Sequence, residues 1–341
     1  MRESETEQSS PTLPDTPVRW GWVLVLSAVL LAVFVGCVEL LRTLFPQPHP
    51  RSYRSAGVAQ LSEATRGIAV GSSHVAFGFD PGPYGGRVVS LPAGAMDYAC
   101  AEPVIRRAFE RAPNLRLVIL EADINGLLID AIERCKGDFY QLYALGLTID
   151  DLPRGAYWKL RQRALESHML YPIFFLRRLT PRALLWEEGL EIAQQRQAGD
   201  AMLKGFVPVD DVITPKNDGR VVIEYHKAEF RRDHSAANLA ALQRTIEWLH
   251  AKNVALALVR FPKHPSYREH RPPEWEQRYA DRLAALRQRV PADSFVVWDY
   301  DALELPDDHF MDAHHLNRRG ASALAEIIRP KVEALMSVSG P

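Results

Sequence analysis

Short apolar segments recur along the chain, and each is bounded by polar or turn-forming residues. They are aliphatic, β-branched or aromatic and lie at 67–70, 87–91, 115–120, 254–259 and 295–298. Runs of this length are typical of buried strands, whereas helices usually need about ten residues or more. The pattern therefore predicts buried β-strands at these five places.

Helical periodicity separates several of these segments. Within 236–252, the apolar residues that share one helical face are Leu239, Leu242, Ile246 and Leu249. Similar spacing occurs at 275–290 and 318–336. Strands that alternate with helices favour a parallel sheet covered on both faces. We expect an α/β domain over 56–341, with functional groups at the carboxyl ends of its strands.

The first apolar run is much longer than the others. No charged residue occurs from Trp20 to Val38, and the run continues past Glu39 to Leu41. About 20 apolar residues cross a bilayer as a helix. A buried core helix and a cleaved signal peptide are the alternatives, but a signal peptide has a shorter apolar stretch and a small-residue cleavage site. We predict a retained transmembrane helix at 20–41.

Polar segments flank this run on both sides. Residues 1–19 are rich in Ser, Thr, Pro and Glu, which predicts a disordered tail. Residues 42–55 contain the stiff sequence FPQPHP and are expected to form a linker. More arginines follow the apolar run than precede it, so the charge count does not favour a cytoplasmic tail, although long domains can be translocated regardless of such charges.

Residues 126–220 break the alternation and are interpreted as a helical insertion. They contain helical patterns, including one at 182–198, and the apolar passage HMLYPIFFLRRL at 168–179. That passage could be core, a lid, or a surface that lies on a membrane or a partner. The paired arginines beside its aromatic residues keep the membrane interpretation open.

Composition excludes some functions. The formal net charge of the 341 residues is −1, which gives no reason to expect nucleic-acid binding. The 47% hydrophobic and 24% charged residues fit a globular core. The chain has three cysteines, Cys37, Cys100 and Cys135. They form no disulfide framework or CxxC pair, although Cys100 and Cys135 could pair in an oxidising compartment.

The first motif with chemical potential is GSSH at 71–74, directly after the first predicted strand. A sharp turn from strand to loop would expose the hydroxyl of Ser73 at the carboxyl edge of the sheet. A neutral hydroxyl is a poor nucleophile and needs a base to take its proton. Without such a base, the same motif reads as a turn that caps a short helix.

The second motif is DAHHLN at 312–317, just before the last predicted helix. An Asp three residues before a His can hold the imidazole in the tautomer that accepts a serine proton, so Asp312 and His315 are candidates. Leu316 would pack beneath the loop, and Asn317 could cap the helix. A metal site is the alternative, because His309 and His314 lie nearby, but no HExxH pattern supports it, and we predict none.

Together, GxS after the first strand and DxxHLN before the last helix resemble the first and last sequence blocks of the SGNH (GDSL-type) hydrolase superfamily. The chain is most similar to membrane-anchored SGNH-like proteins related to DltD and to the alginate O-acetylation proteins. The resemblance covers about 66–128 and 236–336. It implies a flavodoxin-like three-layer α/β/α fold and acyl-enzyme chemistry without a cofactor. It makes Ser73 the nucleophile, His315 the base and Asp312 the orienting acid.

The resemblance also implies an oxyanion hole. Its donors would be the N–H of Ser73, Gly94 after the second strand, and Asn125. The chain departs from the family pattern at two points. Ser72 replaces the Asp of GDS, and the sequence EADING at 121–126 replaces GxND. Losing an oxyanion donor typically costs about 10²–10³-fold in rate, so the second departure bears on activity more than on fold.

Two further residues are candidates for binding substrate. His74 follows Ser73, and Arg260 begins the sequence RFPKHP at the end of the fourth predicted strand. Arg260 could bind an anionic or carbohydrate substrate at the functional edge of the sheet. A solvated arginine on a rigid turn and an ordinary loop histidine are the alternatives.

Three functional hypotheses follow. The first is an acyl esterase or O-acyltransferase that acts on a cell-envelope glycan from the outer side of the plasma membrane, and the family resemblance implies that it handles acetyl groups. The second is a non-catalytic assembly factor for a polytopic membrane acyltransferase. The third is a lipid esterase that faces the cytosol.

Overall fold

The computed structural model describes residues 20–44, 57–128, 205–230 and 235–337, together with Leu145 and Leu147. The chain forms two compact units, Met1–Gln47 and Pro48–Pro341. Several predictions therefore lie outside the described residues: the tail at 1–19, most of the linker, the apolar passage at 168–179 and Cys135. Cys100, its proposed disulfide partner, is buried.

The described part of the first unit is helix α1 (Trp20–Leu44), which covers the apolar run predicted at 20–41. Side chains are described for 21–34, 36 and 37, and the large apolar ones are exposed, including Trp22 and Leu24. Counting only the residues that the structure describes, no helix is both long and apolar enough to cross a membrane. The transmembrane assignment stays a prediction.

The second unit is built on a parallel sheet, which has five strands in the described residues. The strands are β1 (Gly67–Gly71), β2 (Val88–Pro92), β3 (Leu117–Glu121), β4 (Ala255–Arg260) and β5 (Val296–Asp299). Their order across the sheet is β2-β1-β3-β4-β5, and every neighbouring pair is parallel. The predicted strands are confirmed to within two residues at each end.

Helices cover both faces of this sheet. The helices of the second unit are α2 (Ser73–Gly78), α3 (Tyr98–Arg111), α4 (Ile124–Leu128), α5 (Gly219–Glu229), α6 (Ser235–Ala251), α7 (Pro265–His270), α8 (Pro273–Arg287) and α9 (Arg318–Ser337). Residues of α3, α6 and α8 share one apolar cluster with Ile68 and Val70 of β1. Residues of α2 and α9 share another cluster with Ala69 of the same strand. The architecture is therefore a three-layer α/β sandwich.

Burial on both faces explains why the strands read as continuous apolar runs. Every residue of β1, β2 and β3 is buried. Strands of parallel sheets that are covered by helices have no solvent face, so their sequences do not alternate between apolar and polar residues.

The periodicity did not reveal α3 or α5. Helix α3 contains Pro103, which removes a backbone donor and usually ends a helix. The helix forms nevertheless because Asp97 caps its first turn by accepting a hydrogen bond from the Cys100 N–H at 2.8 Å. Its apolar face, which includes Val104 and Ile105, is buried in the core.

The close approach of β1 to β3 gives a test of the packing. A Cβ at Gly71 would lie 2.5 Å from the Cβ of Glu121 and 2.6 Å from Cγ2 of Val75. Gly71→Ala is expected to destabilise the chain by about 1–3 kcal/mol, because the core cannot accept the extra methyl group without shifting. The measurement is urea unfolding of the full-length chain.

Gly67→Ala, in the same strand, is the matched control. Its Cβ would meet Cγ2 of Val88 at 3.1 Å, which a small movement relieves. Equal losses of stability in the two variants would show that the packing at Gly71 is not the tighter one.

Candidate active site

The turn after β1 presents Ser73 at the carboxyl edge of the sheet. β1 ends at Gly71, and Ser73 is the first residue of α2. Ser72 is the N-cap, with an extended backbone, and its hydroxyl accepts a hydrogen bond from the His74 N–H. The cap explains why the chain turns so sharply from strand to helix.

The loop before α9 brings Asp312 and His315 to the same place. An antiparallel bridge between Phe310 and Leu316 closes this loop, and both residues are buried. Asn317 accepts a hydrogen bond from the Gly320 N–H at 3.1 Å, which caps α9 as predicted. Leu316 packs beneath the loop, also as predicted.

The three predicted residues form a continuous hydrogen-bonded chain. Oγ of Ser73 lies 2.7 Å from Nε2 of His315. Nδ1 of His315 lies 2.8 Å from Oδ2 of Asp312, and the His315 backbone N–H donates to Oδ1 at 2.9 Å. This order of hydroxyl, imidazole and carboxylate is the one in which a serine can be activated by a base that a third group orients.

Asp312 serves a second imidazole as well. Nδ1 of His314 lies 2.9 Å from Oδ1 of Asp312. Burial alone would raise the pKa of Asp312, but the hydrogen bonds from His314 and His315 outweigh it and hold that pKa well below its usual range. The carboxylate therefore stays ionised at pH values well below those at which an ordinary aspartate takes up a proton, which suits an orienting acid.

A second polar cluster lies directly behind the serine turn and is centred on Glu121, the last residue of β3. Ser72 donates to the Glu121 carboxylate through its backbone N–H at 2.5 Å and through its hydroxyl at 2.8 Å. Nδ1 of His74 lies 2.8 Å from the same carboxylate. All three side chains are buried.

Lys263 completes this cluster. Its Nζ lies 2.7 Å from Nε2 of His74 and 2.6 Å from Oδ2 of Asp123. An ammonium group only donates, so Nε2 of His74 accepts, and Nδ1 carries the proton donated to Glu121. The cluster thus fixes the tautomer of a buried, neutral imidazole.

Burial shifts the pKa values of the cluster. Burial, followed by the charges of Lys263 and His315, lowers the pKa of His74 well below its usual value. Burial and the neighbouring Asp123 raise the pKa of Glu121 to about 7. Burial would also raise the pKa of Asp123, but Lys263 outweighs it and lowers that pKa instead.

The structure places the two residues predicted to contact substrate largely inside the protein. Arg260 is 6% exposed, and its guanidinium pairs with Glu276 at 2.8 Å and with Asp299 at 3.0 Å. His74 is 3% exposed, and both of its ring nitrogens are bound within the cluster. Both residues lie at the carboxyl edge of the sheet, and both side chains are engaged by partners within the protein.

The predicted oxyanion donors have different outcomes. The Ser73 N–H begins α2, where a helix has no carbonyl partner for it. Gly94 follows β2, which pairs with β1 in register up to Pro92 and Gly71, so it lies at the same edge of the sheet. Asn125 falls within α4, but its side chain lies outside the described part of the structure.

Two groups of side chains are of the kinds that bind metal ions, with candidate ligand atoms within 4.8 Å of one another. They are His74, His314 and His315, and His74, Glu121 and Asp123. In the second group the ammonium of Lys263 supplies a positive charge between Asp123 and His74. Protein groups alone therefore balance that part of the cluster.

Sequence reasoning missed the roles of Glu121, Lys263 and His314. A signal existed for each. Glu121 ends an otherwise apolar strand. Lys263 lies within the sequence RFPKHP, in which only Arg260 was predicted to contact substrate. His314 adjoins His315. Buried charged residues are rarely left unpaired, so an acid at the end of a buried strand predicts a partner, although not which one.

Part of the chain matches a known protein family, and solved structures similar to the chain are known. No curated protein sequence matches the chain significantly. A protein-family sequence profile matches residues 221–337, less than half of the chain. One similar solved structure, from Streptococcus pneumonia, has the provisional name platelet activating factor. It is 9% identical, with a TM-score of 0.40, over 87% of this chain and 99% of that one. Similarity this low does not bear on function.

The buried imidazoles predict how stability depends on pH. The pKa values of His74 and His314 are lowered by burial, so unfolding binds protons below pH 6.5 and acid destabilises the fold. The raised pKa of Glu121 acts in the opposite direction between about 7 and 4.5. The two imidazoles outweigh the single carboxyl group, so the free energy of unfolding is expected to fall as the pH falls below 6.5.

Replacing one imidazole tests this balance. In His314→Asn the free energy of unfolding, measured by urea at several pH values, is expected to fall less steeply with decreasing pH than in the parent chain. His250→Asn, which changes an exposed histidine at the end of α6, is the control. A slope in His314→Asn as steep as in the control would contradict the lowered pKa of the largely buried His314 side chain.

Proposed function

We propose that the chain is an SGNH-like serine acyl esterase or O-acyltransferase. The observation that carries this proposal is the hydrogen-bonded chain from Ser73 through His315 to Asp312. The sheet order β2-β1-β3-β4-β5, which corresponds to a flavodoxin-like order, supports the same family. The three residues come from opposite ends of the domain, and two hydrogen bonds below 3 Å link them.

The chemistry proceeds in two steps. Oγ of Ser73 attacks the carbonyl carbon of an acyl ester, and its proton passes to Nε2 of His315. The bond between the carbonyl carbon and the alcohol oxygen breaks, and His315 returns the proton to the leaving alcohol. Water or a sugar hydroxyl then attacks the carbonyl carbon of the acyl group while His315 takes its proton. The bond between that carbon and Oγ of Ser73 breaks, and His315 returns the proton to Oγ. Asp312 holds the imidazole and stabilises its charged form throughout.

The developing oxyanion needs donors at the same edge of the sheet. The Ser73 N–H and Gly94 are positioned there by the ends of β1 and β2. Asn125 would be the third donor. Preorganised donors of this kind are usually the largest single contribution to acyl-transfer catalysis.

The substrate and location follow from the family resemblance. The acyl group would be acetyl and the acceptor or substrate a cell-envelope glycan. Helix α1 would anchor the domain to the plasma membrane, with the catalytic domain outside the cytoplasm. These assignments depend on the motifs at 71–74 and 312–317 and on the apolar sequence of α1.

A serine-reactive fluorophosphonate probe tests the central assignment. The full-length chain, purified in mild detergent, is expected to be labelled at Ser73, because His315 removes the hydroxyl proton. Ser73→Ala and His315→Ala should abolish labelling. Asp312→Asn should lower the rate constant of labelling by about 10²–10⁴-fold, because the imidazole loses its orienting carboxylate.

Ser294→Ala and His250→Ala are the matched controls, since Ser294 precedes β5 at the opposite edge of the sheet and His250 is exposed. Both should be labelled like the parent chain. A folded parent chain that resists the probe would overturn the enzyme assignment. It would favour the assembly-factor hypothesis, in which the chain binds a polytopic acyltransferase.

A further inference from the structure

The residues on either side of the proposed nucleophile, Ser73, make hydrogen bonds that the triad itself does not need. Ser72 and His74 flank Ser73, and both bind the carboxylate of Glu121. One residue of β3 therefore holds the turn on both sides of the serine. Three hydrogen bonds at or below 2.8 Å fix where the Ser73 backbone, and hence its hydroxyl, can lie.

The strand next to Glu121 leaves room for this arrangement. A Cβ at Gly71 would lie 2.6 Å from the Glu121 carboxylate, so any residue with a side chain would displace it. Gly71 is also the last residue of β1, immediately before the turn. The carboxylate can reach the Ser72 N–H because this position is glycine.

Lys263 extends the same constraint to His74. Its ammonium binds Nε2 of His74, while Glu121 binds Nδ1, so the ring is held at both nitrogens. The centroid of this ring lies 4.9 Å from that of His315. A neutral ring there places no positive charge beside His315 when it accepts the serine proton, whereas a protonated His74 would oppose that transfer.

We propose that Glu121 is a positioning residue for the nucleophile and that Lys263 supports it by locking His74 in its neutral Nδ1–H tautomer. The inference rests on the proposed function, since it assigns these residues a role in activating Ser73. Neither residue contacts the reacting atoms. Their effect passes through Ser72 and His74.

Loss of a positioning residue lowers the rate constant of labelling, whereas loss of a residue needed for folding lowers the fraction of molecules that can be labelled. Glu121→Gln keeps the size of the side chain but replaces one of the two oxygens that accept these hydrogen bonds with an NH₂ group, which only donates. The rate constant of fluorophosphonate labelling is expected to fall about 100-fold, the effect of a displacement on the order of 1 Å. The fraction of molecules labelled at the end point should not change, because the folded population is preserved.

Variants at Lys263 form the second part of the labelling experiment. Lys263→Met should lower the rate constant, whereas Lys263→Arg, which keeps a donor and the charge, should restore part of it. Glu102→Gln is the control, because Glu102 pairs with Arg106 and Arg244 on the outer surface of α3 and α6. A Glu121→Gln variant that is labelled at the parent rate, or loses only end-point labelling, would overturn the inference.

Histidine-selective ¹⁵N NMR separates this inference from the proposed function. In the parent chain, His74 is expected as the neutral Nδ1–H tautomer, and Glu121→Gln should alter both that signal and the Nε2 signal of His315. If the parent chain resists the probe, the proposed function fails, and the NMR result decides the positioning alone. Unchanged histidine signals in Glu121→Gln would overturn it.

Discussion

The burial of the Glu121 carboxylate is the constraint on which the site depends. Glu121 and Asp123 place two acids at the buried end of β3, and each would cost several kcal/mol if it were left without partners. The partners come from elsewhere in the chain: Ser72 and His74 from the turn after β1, and Lys263 from the loop after β4. The Glu121 carboxylate has its hydrogen-bond donors only when the turn at Ser72 and His74 is folded as in this structure.

The topology explains how residues far apart in sequence meet. Ser73 and His315 are 242 positions apart. Ser73 begins α2, His315 lies three residues before α9, and both helices pack in the same apolar cluster on one face of the sheet. Because parallel strands align their carboxyl ends, the loop after β1 and the loop before α9 open at one edge. The packing of both helices in this apolar cluster therefore also brings Oγ of Ser73 within hydrogen-bond distance of Nε2 of His315.

Much of this arrangement could be predicted because it is encoded locally. The strands are short apolar runs, and the triad residues lie in motifs directly after the first strand and before the last helix. Partner choice for buried charges is not local, so the sequence did not reveal which acids would pair with Arg260. That residue and Lys263 lie three positions apart, yet Arg260 pairs with Glu276 and Asp299, while Lys263 reaches β3. The sequence pattern does not show which acid each of these two residues pairs with, because that depends on which acids the other elements place nearby.

The sharing of Asp312 by two adjacent histidines also has a mechanical consequence. Oδ1 of Asp312 accepts from Nδ1 of His314 and from the backbone N–H groups of His314 and His315, which leaves Oδ2 for the His315 ring. The His314 ring is itself wedged against His226 and Tyr267, with centroids 4.7 and 5.9 Å away. Rotating the carboxylate would break all of the Oδ1 bonds together. His314 therefore makes the Asp312 carboxylate rigid. A rigid carboxylate keeps His315 in one tautomer while the charge of the imidazole changes during the reaction.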